Sequence, residues 1–238
     1  MPSHRYYKQK SLWEIGASVL LFGLTALTSS ILLLQANGYW IDFQELSVQK
    51  MGLLVLRYAP SDAVVIVADT ESRSFRGEYA EVLPPGVYDV TITKLGYHAW
   101  QRTAAIHPGA ATSFLNRELF LQSPVLLATT SPDPTDVTTP VIGAGLLVRE
   151  NELWIHREDA ALQLVTRLSR PIRSAVRTSD QTLAYQVENE IHVIDEDGRN
   201  DRVLFQLPDD RERRIRSLDG GRRIRLIEAD VVEEYQIQ

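Results

Sequence analysis

The chain has 238 residues and a formal net charge of -6, with 44% hydrophobic and 24% charged residues, which suits one large folded domain or two small ones beside an anchor. It contains no cysteine, so disulfide frameworks, thiolate zinc sites and cysteine nucleophiles are excluded. The acidic balance argues against a general electrostatic preference for nucleic acid.

Residues 1–14 are basic, with Arg5, Lys8 and Lys10, and no charge follows between Glu14 and Asp42. The stretch 15–36, built on Ile15 to Leu34, is as long as a bilayer-spanning helix needs, about 20 residues. Its Ser and Thr hydroxyls are compatible with lipid because they bond back to the preceding turn. Trp13 at one end and Tyr39 with Trp40 at the other match interfacial aromatic belts, and the basic residues predict a cytoplasmic N-terminus with an extracytoplasmic remainder. Two other readings stay open: a signal peptide cleaved after Leu34-Gln35-Ala36, and a buried core helix. The apolar run is long for the first, and its flanks are asymmetric for the second.

After a juxtamembrane segment, 37–50, strand signals dominate residues 51–122. "GLLVLRY" from Gly52 and "AVVIVAD" from Ala63 are strand-like runs separated by Pro60, Ser61 and Asp62. A polar loop is expected from Thr70 to Gly77, and a type II turn at Pro85-Gly86. Beyond it Tyr88, Val90 and Ile92 alternate with Asp89, Thr91 and Thr93, predicting a half-buried strand. Gly96 lets the chain bend so that Tyr97 and Trp100 cover the apolar face. Two more strands are broken at Pro108-Gly109. Five or six short strands without a helical period predict a small antiparallel sandwich.

Leu83-Pro-Pro-Gly86-x-Tyr88-x-Val90 and Gly96-Tyr97-x-x-Trp100, with Gly52-Leu-Leu-Val-Leu and Pro60-Ser-Asp-Ala63-Val, resemble a PEGA domain across Lys50 to Leu121. The family's middle step is replaced here by "ESRSFRGEYA". The resemblance implies a prealbumin-like sandwich of a prokaryotic envelope protein and carries no catalytic residue. Tyr97 and Trp100 are candidates for a sugar-stacking platform, with closure of the sandwich core as the competing and favoured role.

Residues 123–140, which include "SPDPTDVTTP", read as a Pro/Thr-rich linker. Over 141–238 the chain repeats an apolar strand, a polar turn and a second strand, at Gly145, Gln181 and Arg222. Leu153, Ile191 and Val231 fall 38 and 40 residues apart. The stretch from Pro171 to Phe205 resembles one blade of the WD40-like or TolB-type propellers. Four or so blades are needed for closure, and the chain has room for two to two and a half. An open propeller-like antiparallel meander follows.

Neither a metal nor another cofactor is expected. His156 and His192 stand on strands of successive repeats, where solvent-facing positions are the expectation and a shared metal groove is the competing reading. "DEDGRND" from Asp195 to Asp201 fails the EF-hand register and reads as a hairpin turn at Asp197-Gly198. Seven arginines between Arg211 and Leu226 suggest polyanion binding, but residues 141–238 hold 15 basic and 19 acidic residues, which favours a salt-bridged face.

The expected protein is therefore all-β with one N-terminal transmembrane helix, non-catalytic, and displayed outside the cell membrane. Expected partners are the lipid bilayer and cell-wall polymer, surface-layer protein or another envelope subunit, and not nucleic acid. The alternative is an accessory or sensor subunit docking an envelope enzyme or transporter.

Overall fold

The computed structural model describes residues 12–42, 47–73, 76–156 and 161–238. Helix α1 spans Leu12–Ala36, and a hairpin of β1 (Tyr39–Asp42) and β2 (Ser47–Lys50) follows. Then come β3 (Gly52–Ala59), β4 (Val64–Val67), β5 (Thr70–Arg73), β6 (Glu78–Leu83), β7 (Gly86–Thr93), β8 (Trp100–Ile106), β9 (Ala111–Glu118) and β10 (Val125–Thr130). A helical turn, α2 (Pro134–Val137), precedes β11 (Leu146–Arg149), β12 (Glu152–Ile155), β13 (Gln163–Arg167), β14 (Ile172–Arg177), β15 (Thr182–Val187) and β16 (Glu190–Asp195). The last strands are β17 (Arg202–Gln206), β18 (Arg214–Leu218), β19 (Arg223–Ile227) and β20 (Val232–Gln236). The chain forms two compact units. One holds residues up to Leu54 with Glu81–Gly86 and Ala105–Thr112; the other holds Val55–Ala80, Val87–Ala104 and Ser113–Gln238.

In the first unit, the 25 residues of α1 rise about 37 Å, enough to cross a bilayer core of about 30 Å. The helix is long and apolar enough to span a membrane, and none of its apolar window is buried. Ser18, Thr25, Thr28 and Ser30 donate to carbonyls four residues back at 2.8–3.0 Å, so their hydroxyls are satisfied within the helix. Asn37 closes the C-terminus by donating from Nδ2 to the Leu33 carbonyl at 2.7 Å, and Gly38 takes the positive φ that ends such helices. The following backbone is tied down at once. Met51 N–H donates to Gly38 O at 2.8 Å, and Gly109 N–H donates to Met51 O at 2.8 Å. Gly52 lies so close to the next turn that a Cβ there would stand 2.5 Å from the His107 carbonyl oxygen.

The sandwich has two sheets, ordered β6-β3-β9 and β5-β4-β7-β8. Within the second unit Leu56, Tyr58, Val65, Val67, Val90 and Ile92 are buried at alternate strand positions, as a period of two requires. Three differences from the sequence reading stand out. The expected polar loop contains β5, because Ala68 and Asp69 both adopt positive φ and turn the chain back in two residues. Gly86 is already the first residue of β7 and not a turn position. The stretch read as a linker holds β10 and α2, whose Asp133 accepts from Thr135 N–H and Asp136 N–H at 2.8 and 2.9 Å.

The remaining strands build three antiparallel sheets, ordered β11-β12-β13, β14-β15-β16-β17 and β10-β20-β19-β18. The hairpins β11–β12, β15–β16 and β19–β20 coincide with the three repeated stretches. The third hairpin is offset by one residue, so Val232 and not Val231 is its buried member. The middle sheet is covered on both faces. Leu183, Tyr185 and Val187 pack with Leu153, Ile155 and Val165, whereas Ala184, Ile191 and Val193 pack with Ile215, Ile224 and Leu226. Strand β15 is consequently buried at all six positions, including the polar Gln186. That amide is fully used: Nε2 donates to the carbonyls of Glu188 and Arg211 at 2.8 and 2.7 Å, and Oε1 accepts from Arg213 N–H at 2.8 Å.

Gln186→Leu removes the partner of those three backbone groups, of which the Arg213 N–H is buried, and should cost about 2 kcal/mol, since an unmet buried polar group costs about 1–3 kcal/mol. Urea unfolding checks this, as a lower midpoint with an unchanged slope.

Candidate functional site

Strand β8 begins "WQR", which puts Trp100 and Arg102 on one face, and both side chains turn inward. Trp100 is only 3% exposed. Its ring meets Phe114 edge-on at 5.4 Å, and the guanidinium carbons of Arg102 and Arg117 lie 5.7 and 5.5 Å from its centroid. The indole Nε1–H donates to Asp195 Oδ2 at 3.0 Å, across 95 residues of sequence.

Asp195 opens the β16–β17 turn, and that turn grips β8. Gly198 takes a positive φ and donates its N–H to Asp195 O at 2.8 Å, forming the hairpin turn expected of Asp197-Gly198. Asn200 accepts from Gln101 N–H at 3.0 Å, donates to Gln101 O at 3.2 Å and donates to Asp195 Oδ2 at 2.9 Å. Arg202 reaches the Ala99 carbonyl at 3.0 Å.

Beside this clasp is a cavity of about 400 Å³ lined by Arg102, Arg117, Arg177, Asp180, Gln181, Asp195, Glu196 and Asp197. Arg102 Nη2 pairs with Asp197 at 2.5 Å and stands 3.9 Å from Asp195, with its side chain 8% exposed. Arg177 pairs with Glu196. Burial pushes the Asp195 carboxyl above the usual carboxylate range, against the lowering pull of Asn200, Trp100, Arg117 and Arg102. Burial likewise lowers the Arg117 pKa, an effect opposed by Asp195 and reinforced by Arg102. Arg102 Nη1 and Arg117 Nε are buried without a hydrogen-bond partner. The lining thus sets guanidiniums and carboxylates side by side around one polar cavity.

The expected residues are placed as follows. Tyr97 is half-buried with Lys94 Nζ 4.9 Å over its ring, and Trp100 lies inside the clasp. Trp13 lies in the first turn of α1, and Tyr39 and Trp40 open β1, with Lys50 Nζ 6.0 Å over the Tyr39 ring. Arg5, Lys8 and Lys10 lie outside the described residues. His156 is exposed, whereas His192 corrects the solvent-facing expectation: it stacks on Tyr185 at 5.0 Å with Nδ1 3.1 Å from Asp201 and Nε2 3.2 Å from Glu190. Burial lowers the His192 pKa, and the Asp201 and Glu190 carboxylates outweigh it, leaving the imidazole above its ordinary value. Among the described residues no group of three or more His, Cys, Asp or Glu side chains is placed to hold a metal ion. In the arginine-rich stretch Arg211, Arg213, Arg216, Arg223 and Arg225 are each ion-paired with Asp or Glu.

Sequence reasoning missed Arg102, Arg117 and Arg177. One signal was present: in "WQRTAAI" Arg102 shares the inward positions with Trp100, Ala104 and Ile106, where an isolated charge is costly. No known protein family matches the chain, and no curated protein matches it.

Trp100→Phe keeps an aromatic ring but removes the donor to a buried carboxylate, so it should cost about 1.5–3 kcal/mol near neutral pH. A carboxyl with a raised folded pKa favours its protonated form, so the loss should shrink in acid, as denaturation at pH 4 and pH 7 would show. For His192 the sign is opposite in origin. A raised imidazole contributes stability that is full below about 6.5 and is lost as pH rises through the folded pKa. The stability gap between wild type and His192→Gln should therefore be larger at pH 6 than at pH 8.5.

Proposed function

We propose that this is a single-pass membrane protein whose β domains stand outside the cell and bind or scaffold envelope polymer or surface-layer components without catalysis. The observation that carries the reading is α1, a 25-residue apolar helix with no charge between Glu14 and Asp42 and none of its apolar window buried. A helix of that kind in water exposes its apolar surface at about 25 cal/mol per Å², a cost that lipid removes. The basic flank Arg5, Lys8 and Lys10 supports a cytoplasmic N-terminus. The PEGA-like pattern is supported by a sandwich of short strands, and the blade-like pattern by three stacked small sheets without closure.

A second reading, an accessory or sensor subunit docked on another envelope protein, is favoured by β10. This strand ends its sheet and exposes Val125, Leu126 and Leu127 along it. An exposed apolar edge suits strand addition by a partner.

The chain has no cysteine, so a single Leu95→Cys at a 99% exposed position gives a clean label. A membrane-impermeant maleimide should label it on intact protoplasts. Labelling only after lysis overturns the topology. Purified cell wall should then sediment the full-length protein; recovery with a stoichiometric protein partner and no wall binding selects the second reading.

A further inference from the structure

We propose that the cavity beside β8 and β9 is a binding site for a small ligand that carries a phosphate or carboxylate group, held by the guanidinium of Arg117, with hydroxyl or ammonium donors turned toward Asp180. The inference deepens the envelope-binding reading by naming a site and a ligand chemistry, and it rests on that reading only for where such a ligand comes from.

Charge pairing within the lining defines what is left over. Arg102 is taken by Asp197, Arg177 by Glu196, and Asp195 by the Trp100 indole and the Asn200 amide. Among the described residues no carboxylate comes within ion-pair distance of Arg117, and none of the cations does so for Asp180. The lining thus retains one unpaired cation and one unpaired anion around about 400 Å³, a volume in the range of small-molecule pockets. The unpaired cation is also held in place. Its Nε is buried without a partner, and its guanidinium carbon lies 5.5 Å from the Trp100 ring centroid, a cation–π contact. Beside it Arg102, 92% buried by its side chain's 8% exposure, brings a second positive charge with a nitrogen that also lacks a partner. Two guanidiniums against one indole raise the local positive potential, and a planar fork suits the paired oxygens of a phosphate or carboxylate. Carboxylates on the same wall make the site selective. A bare anion meets Asp180 and Glu196 unfavourably, whereas an anion flanked by hydroxyl or ammonium groups satisfies both poles.

Titration calorimetry on the full chain in nanodiscs tests this with three probes: inorganic phosphate, glucuronate and glucosamine 6-phosphate. Glucosamine 6-phosphate should bind more tightly than inorganic phosphate, and the comparison with glucuronate separates a phosphate from a carboxylate source. Arg117→Gln should weaken binding at least about tenfold, the loss expected for one charge-assisted contact, with thermal unfolding little changed. Arg117→Lys keeps the charge without the fork and serves if the glutamine variant fails to fold; it should give an intermediate loss. Asp180→Asn should weaken glucosamine 6-phosphate and strengthen inorganic phosphate. Absence of saturable binding by all three probes at millimolar concentration, or affinity unchanged in both Arg117 variants, overturns the site. Continued sedimentation with cell wall in that case leaves the envelope-binding reading standing without this cavity; loss of sedimentation alone removes that reading and leaves the site.

Discussion

The bond from the Trp100 indole to Asp195 closes a loop of 95 residues, and a single hydrogen bond to a carboxylate nets only about 1.5–3 kcal/mol. Loop closure over such a span costs more than that, though the cost grows only with the logarithm of length. The clasp therefore works as a set. Asn200 makes two bonds to Gln101, Arg202 at the start of β17 reaches Ala99 just before β8, and Arg102 pairs with Asp197, so the contacts cluster where β8 begins. Apolar burial supplies the larger energy: Phe120, just past β9, is part of the cluster formed by Ile191, Leu204, Ile215 and Ile237. Each such side chain contributes about 1.5–3 kcal/mol. The apolar cluster holds the parts together, and the polar clasp sets their register.

A polar seam has a consequence that an apolar one lacks. Every charge brought into it needs a partner, because an unpaired buried charge is costly. The pairs Arg102–Asp197 and Arg177–Glu196 meet that demand. Among the described residues Arg117 does so through the Trp100 ring and the field of its acidic neighbours, without an ion pair. The cavity lies where the pairing is incomplete, so the geometry that stabilises the seam also leaves it receptive.

The three stacked sheets show how a repeat too short to close a ring still manages its edges. The outer edge of β20 would be open at the end of the array, but β10 pairs with it from Val125↔Gln236 to Thr130↔Val232. The third sheet is thus completed by a strand that precedes the repeats, which removes one exposed edge and transfers the exposure to β10. On the middle sheet the edge strand β14 is met in part by the chain before β11: Gly143 N–H donates to Ala175 O at 2.7 Å, and Ala175 N–H donates to Val141 O at 3.1 Å.

Much of this was legible in the residues themselves. The uncharged run of α1, the alternation Val90-x-Ile92, the Asp197-Gly198 turn and the paired strands of the repeats are local patterns, set by side-chain period and backbone preference over a few residues. They determined one lipid-suited helix and an all-β remainder. Tertiary structure alone decided that the stretch after Gln122 is a sheet edge and not a linker, and that His192 is enclosed between two carboxylates. It also decided that Arg102, Arg117 and Arg177 converge on one acidic turn. The reason is physical. A hydrogen-bond ladder or a charge pair depends on distances of a few Å between residues nearly a hundred positions apart, and no periodicity within either segment records that meeting.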